Sequence, residues 1–433
     1  MVVTSAPYEI INQPVVKRLA NGLTIIAEQM PTAAVNLNIW LSVGSRVESD
    51  AINGMAHFLE HMIFKGTPQL QCGEFERLIE ERGAITNAAT SQDYTHYYIT
   101  TAPKDFAKLA PLQVELLLNA HLRDSDFERE RPVILEEIRR SEDNPRRRVF
   151  QHSMALNFEQ LPYRRTVLGP QSVIEQLSVN QMRDFHWRWY QPQNMTAVVV
   201  GDLPTEQLIA TVEQSFEQAI AHRRQGTLAD PLESVPVSAP EAPFTSVSRV
   251  NYTDPTLQQA RLVISWRVPG LQQLSETYDL DVVASILGQG RTARLVQDLR
   301  ETRALVNSIS TSNITYGEQG VFYISANLSI DQLDAVETAV LEHIQRLHDE
   351  PVSEAELSRV QTQVANRYVF GNETSSDRAS MYGYYHAMTG DIENALNYPT
   401  AIKKVDAATL QNAVRRYLPV DAYGVLRLHP ETN

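Results

Sequence analysis

Hydrophobic positions recur at two different periods along this chain, and the switches between them outline its elements. "VVKRLANGLTIIAEQ" (residues 15–29) alternates around Asn21-Gly22, a dipeptide suited to a tight turn, and predicts a β-hairpin. "AVNLNIWLSVG" repeats every second residue and "DYTHYYITTA" alternates aromatic with polar residues, so both read as strands. A 3.6-residue period appears in "FERLIEERG", "FAKLAPLQVELLLNAHL" and "DFERERPVILEEIRRSEDN", which read as helices. Hairpins with intervening helices predict an α+β fold, with mainly antiparallel sheets and helices covering one face.

The pattern breaks once. From His222 to Phe244 the sequence "HRRQGTLADPLESVPVSAPEAPF" carries Pro231, Pro236, Pro240 and Pro243 without periodicity, which suits an extended linker. The stretches on either side resemble each other. Trp40 and Trp266 are each followed four positions later by glycine, Gly44 and Gly270. Near the end of each half a helix-like run closes on Tyr-x-Pro, at Tyr190 and Tyr417, before a strand-like run. Similar landmarks at similar separations predict two homologous domains, 1–221 and 245–433, joined by the linker 222–244.

Composition narrows the function. A chain of 433 residues exceeds one ordinary core, and 43% hydrophobic with 21% charged residues is the balance of a soluble globular protein. No run approaches the roughly 20 apolar residues that span a bilayer. "MVVTSAPYEIINQPVVKRL" shows neither a basic-then-apolar segment nor an arginine-rich one, so no targeting peptide is expected. A cytoplasmic location follows as the default, or an organellar matrix if such a segment had been removed. The lone Cys72 excludes an internal disulfide and any cysteine-based zinc site. A net charge of −14 argues against nucleic acid as a partner and is compatible with basic peptides or with mere solubility.

The chemistry concentrates in "AHFLEHMIFKGT", residues 56–67. Asn53 is a reasonable N-cap for a helix here, and in that helix His57 and His61 share a face and can aim two imidazoles at one metal. Glu60 sits beside them without having to be a ligand, and Phe58, Leu59, Met62 and Ile63 supply an apolar face to pin the helix. Zinc suits such a set, because it accepts imidazole and carboxylate and leaves a position for water. The order His-x-x-Glu-His is the inverse of the commoner zinc-protease motif. Two histidines need a further ligand, and "FERERPVILEEIRRSE" offers Glu128, Glu130, Glu136 and Glu137. Glu130 and Glu137, seven residues apart, lie along nearly one face, yet by spacing alone this helix reads rather as a solvated surface of Glu–Arg pairs.

"GSRVESDAINGMAHFLEHMIFKGT" resembles the active-site stretch of the pitrilysin/insulinase family, in its short-chain branch of mitochondrial-processing-peptidase-like zinc endopeptidases. The likeness runs on through "GAITNAATSQDYTHYY", "ERPVILEEI", "FHWRWYQPQNMTAVVVGDL" and "ILGQGRTARLVQDLRE", nearly the whole chain. It implies a Zn²⁺ ion held by His57, His61 and Glu137, Glu60 as the base, and Glu130 as a supporting acid. It also implies that "NAATS", with Asn87, Ala88 and Ala89, is an exposed edge strand on which an extended peptide substrate pairs. The second domain is expected to repeat the fold without the zinc motif.

One departure has consequences for partners. The family usually supplies an Arg and, seven residues later, a Tyr from the second domain to bind substrate; here Arg300 is kept but Asn307 takes the tyrosine position. Asparagine lacks the phenol's reach and acidity. The resemblance therefore implies the zinc-bearing subunit of a heterodimer whose homologous partner supplies the Arg/Tyr pair, with a homodimer as runner-up. The competing reading is a non-catalytic scaffold subunit of the same fold. Two other stretches carry no function: "MYGYYHAMTG" reads as aromatic packing, and Arg223-Arg224 is too short a basic run.

Overall fold

The computed structural model describes residues 13–223 and 239–431, so most of the proline-rich linker, with Arg224, lies outside the described residues. The Asn21-Gly22 hairpin forms: β1 (Val15–Arg18) and β2 (Thr24–Gln29) pair antiparallel with Arg18 opposite Thr24, and Gly22 takes φ 87°. With β3 (Val35–Leu41), β4 (Ile85–Thr90), β5 (Thr95–Thr101) and β6 (Met195–Gly201) they build a six-stranded sheet ordered β1-β2-β6-β3-β5-β4. Only β2 and β6 run parallel.

The second sheet repeats the plan. Its strands are β7 (Ser248–Thr253), β8 (Ala260–Pro269), β9 (Ser308–Thr315), β10 (Gln319–Leu328) and β11 (Gly424–His429), in the order β7-β11-β8-β10-β9. Taken strand for strand from β2, the two sheets share one order, and the parallel pair, β7 with β11, falls at the same place. The chain is thus built from two halves of one topology.

The landmark that suggested the repeat is nevertheless out of register. Trp266 faces the helices of its own half, beside Ile264 and Val268 on alternate positions of β8. In β3 the corresponding face holds Val35, Leu37, Ile39 and Leu41, while Trp40 points to the other side. A one-residue offset moves a side chain across a sheet, so the matching Trp-to-Gly spacing does not mark equivalent positions.

Five helices matter for the site: α1 (Met55–Ile63), α2 (Glu74–Glu80), α3 (Pro103–Asn119), α4 (Asp124–Glu142) and α5 (Pro145–Asn157). Apolar faces of α1, α3 and α4 close over one side of the first sheet and bury Met55, Phe58, Leu59, Phe106, Leu117, Phe127 and Ile134 with the odd-numbered residues of β3.

The other side of that sheet is covered too, by a helix borrowed from the second half. Helix Ser375–Thr389, which carries "MYGYYHAMT" and is capped by Gly390, lies across it and packs Ala379 and Tyr382 on Ile26, Trp40, Val198 and Val200. The aromatics there do pack, as expected. The exchange is reciprocal: α5 leaves the first half and packs Val149 against Val263, Leu426 and Leu428 of the second sheet. Helices therefore cover both faces, because each half contributes one to its neighbour.

Candidate metal centre

Two contacts set α1 in place. Gly54 begins it with φ 98°, and a Cβ there would lie 2.5 Å from the carbonyl oxygen of Leu168, so this position requires glycine for conformation and for space. Asn53 is not the cap. The buried Glu48 carboxylate accepts from the backbone N–H groups of Gly54 (2.8 Å) and Ala56 (2.7 Å), and the Asn53 amide donates to the same carboxylate (2.8 Å). A residue six positions upstream thus does what the adjacent asparagine was expected to do. Phe58 of α1 then stacks on Phe127 of α4, ring centroids 4.5 Å apart, which fixes the crossing of the two helices.

That crossing brings the residues together. His57 Nε2 and His61 Nε2 each lie 3.6 Å from one oxygen of Glu137, Oε2. Among the described residues these three form the group whose ligand atoms converge for a metal ion, all within 4.8 Å of one another. Tetrahedral zinc with bonds of about 2.0–2.1 Å holds its ligand atoms roughly 3.3 Å apart, so small rotations would complete the set. The protonation of His57 fits as well. Burial, then the charges of His61 and Arg147, push His57 down to about 3, so it presents a neutral imidazole. His61 donates from Nδ1 to Glu130 Oε1 at 3.0 Å, which orients the ring so that Nε2 faces Glu137. The chain's own residues therefore suit zinc.

Glu60 borders the cluster and is held by Thr90, whose hydroxyl donates to Oε2 at 2.5 Å. Burial pushes its carboxyl above the usual value, with the Thr90 hydroxyl and His61 acting against that rise. Glu130 is buried and bridges His61 and Lys65, whose ammonium lies 2.6 Å from Oε2. Burial alone would raise Glu130; the hydrogen bonds from His61 and Lys65 outweigh it and hold it below the usual carboxylate range. The helix α4 carries both of its sequence readings. Glu128 and Glu136 pair with Arg131, Arg139 and Arg140, while Glu130 is buried and the partly exposed Glu137 faces the two histidines.

Asn87, Ala88 and Ala89 lie on β4, which is the edge of the first sheet, with Asn87 and Ala89 exposed. Arg300 is not brought to the cluster: it sits on the helical turns Val296–Thr302 and pairs with Glu301, its neighbour, at 2.6 Å. Asn307 is exposed just before β9. Sequence reasoning missed Lys65, Thr90 and Glu48. Lys65 follows His61 by four residues, so its shared face was readable; Thr90 and Glu48 approach only through the tertiary fold.

An inverted His-x-x-Glu-His helix crossed by a glutamate-bearing helix, on a duplicated sheet, defines a class of metallopeptidase-like proteins. Residues 23–171 match the family model for insulinase (peptidase family M16) and residues 176–364 that for the peptidase M16 inactive domain. The chain belongs to this pitrilysin/insulinase, or M16, family. It is similar to an uncharacterized zinc protease of Mycobacterium bovis, 28% identical over 425 residues that cover 95% of this chain and 92% of that one. Among solved structures, a protease from Helicobacter pylori shares the fold at TM-score 0.89 and 22% identity, covering 97% of this chain and 100% of the other. The periplasmic protease PqqL from Escherichia coli matches at TM-score 0.78 and 18% identity over 96% of this chain, which corresponds to 48% of that longer one. No helix among the described residues is long and apolar enough to cross a membrane.

Proposed function

We propose that this chain is a zinc-dependent endopeptidase that hydrolyses extended or unfolded peptides, with His57, His61 and Glu137 as the metal ligands. The carrying observation is the convergence of two imidazole nitrogens and one carboxylate oxygen, 3.6 Å apart along both His–Glu edges, with a second carboxylate beside them. A bound zinc ion would supply a Lewis acid and a water acidified towards neutral pH. Glu60 takes the proton of the attacking water on a carboxylate oxygen and returns it to the leaving amine. Thr90 holds that carboxylate in place. Glu130 keeps the Nδ1 proton of His61 engaged, so that Nε2 remains a ligand. The free edge of β4, at Asn87, Ala88 and Ala89, receives the peptide as an added strand.

Two homologous domains, 1–221 and 245–433, frame this site, and only the first carries the motif. Arg300 without a following tyrosine supports a heterodimer in which a homologous chain supplies the missing pair. The PqqL fold, about twice as long, supports the view that two such units work together. The cytoplasm is the compartment we assign.

The test is zinc content and hydrolysis of an unstructured peptide by the purified chain, alone and with a motif-lacking homologue from the same genome. Glu60→Gln should keep zinc and fold while lowering turnover at least about 100-fold, the ordinary contribution of a general base. Unchanged turnover in that variant would remove Glu60 from the mechanism. A parent that binds zinc yet cleaves nothing in either setting would leave a non-catalytic scaffold role in place of the peptidase.

A further inference from the structure

Beside the metal cluster lies a pocket with an unusual electrostatic character for so acidic a chain. Arg146 and Arg147 from the first turn of α5, and Arg164 and Arg165 from the loop that follows it, line the pocket, and no aspartate or glutamate does. Asp50 is shared between two of these, 2.8 Å from Arg164 and 2.7 Å from Arg165. Arg146 and Arg147 are exposed and have no ion-pair partner among the described residues. Phe150, Met154 and Leu168 give the pocket an apolar lining under this cationic rim. In a chain of net charge −14, a pocket with four guanidiniums on its wall is a concentrated positive potential.

Its position ties it to the reaction. Ser141, which lines it, follows Glu137 by one helical turn on α4, and Gln92, which also lines it, follows the end of the edge strand β4 by two residues. The carbonyl of Thr166, at the pocket wall, accepts from Asn53 immediately before α1. A peptide laid along β4 and continuing past Thr90 would pass over the opening.

We infer that this pocket is a specificity site for an acidic side chain, aspartate or glutamate, of the bound peptide. The inference rests on the peptidase reading for its peptide and adds the substrate class. A glutamate carboxylate meets the unpaired guanidiniums of Arg146 and Arg147, whose planar forks can donate two parallel hydrogen bonds to it. Its methylenes lie on Phe150 and Met154. A lysine or arginine in the same place faces like charges with no carboxylate to receive it.

The test uses the zinc-loaded chain, with its companion chain if the isolated protein is silent. Quenched fluorescent peptides carry Glu, Gln or Lys, scanned singly across the cleavage site. At one position kcat/KM for Glu should exceed that for Lys at least tenfold, and the double reversal Arg146→Glu, Arg147→Glu should invert the order. Arg146→Gln with Arg147→Gln, which levels the order instead, serves if the reversal fails to fold. Equal rates at every position, or a preference for Lys, would overturn the pocket while leaving the peptidase standing. Binding of the same labelled peptides to Glu60→Gln separates the two ideas. Tenfold tighter binding of the Glu peptide, lost in the Arg147→Glu background, upholds the pocket even if nothing is cleaved. Indifferent or absent binding overturns it.

Discussion

One carboxylate, Glu130, serves two donors, and that arrangement makes it a positioning residue for the proposed metal site. Its Oε1 holds His61 and its Oε2 holds Lys65, so the imidazole ring is fixed from behind by a charge that is itself anchored. Glu130→Gln removes the anchor without removing a ligand. It should weaken zinc affinity by about 10- to 100-fold, measured by competition with a chelator. His57, Glu60 and His61 were legible at once, because a helix turns spacing into proximity. Glu137 was not readable from spacing, since α4 offers four glutamates and pairs Glu128 and Glu136 with arginines as a surface helix would. The family resemblance selected Glu137, and the geometry puts that residue, rather than Glu136, opposite the two imidazoles.

Among the elements, α1 depends on a cap from outside itself. Glu48→Ala would strand the N–H groups of Gly54 and Ala56 and the Asn53 amide in a buried setting. A loss of about 1–2 kcal/mol is expected in denaturant unfolding, in the range of a lost N-cap. In the second half, Glu337 on helix Leu333–Asp349 gathers Arg249 of β7 (2.7 Å), Tyr423 (2.8 Å) and Arg427 of β11. Burial opposes its ionisation, but these three partners overcome that and bring it from 4.5 down to about 2. A lowered carboxylate stabilises the fold above the ordinary value and loses that contribution as pH falls towards about 2. Glu337→Gln should therefore lower stability by about 3 kcal/mol at neutral pH, and the gap between variant and parent should close between pH 4.5 and 2. Strands and helices themselves were largely legible, because alternation and 3.6-residue periods survive burial. The face of β3 that carries Asn36, Asn38 and Trp40 was not, because its covering helix arrives from more than three hundred residues away, as in the Asn38–Ser380 hydrogen bond.

The whole molecule is held by the exchanged helices. Helix Ser375–Thr389 sits so close to the first sheet that a Cβ at Gly383 would lie 2.1 Å from Trp40 Nε1. Trp40 is itself stacked on His96 at 4.3 Å and has little room to move. Gly383→Ala should destabilise the protein by about 1–3 kcal/mol and red-shift tryptophan emission, as overpacking forces the indole from its site. Loop contacts add to the bond between halves: Asp93 accepts from Gly317 N–H at 3.1 Å and lies 3.0 Å from Arg46, while Tyr163 accepts from Glu318 N–H at 3.0 Å. Duplication was visible beforehand in the recurring Tyr-x-Pro endings, whereas the exchange left no local trace, since it sets one half's pattern against the other's sheet.

Each half thus wears a roof cut from the other. Swinging them apart would strip both roofs together and wet Ile26, Trp40, Val198 and Val200 on one side and Val263, Leu426 and Leu428 on the other. A clamshell opening of the two halves within this chain is for that reason strongly disfavoured. Under the proposed pairing with a second chain, the entrance for a peptide would therefore lie at the seam between the two chains, and a crosslink across that seam should halt hydrolysis while leaving each chain folded.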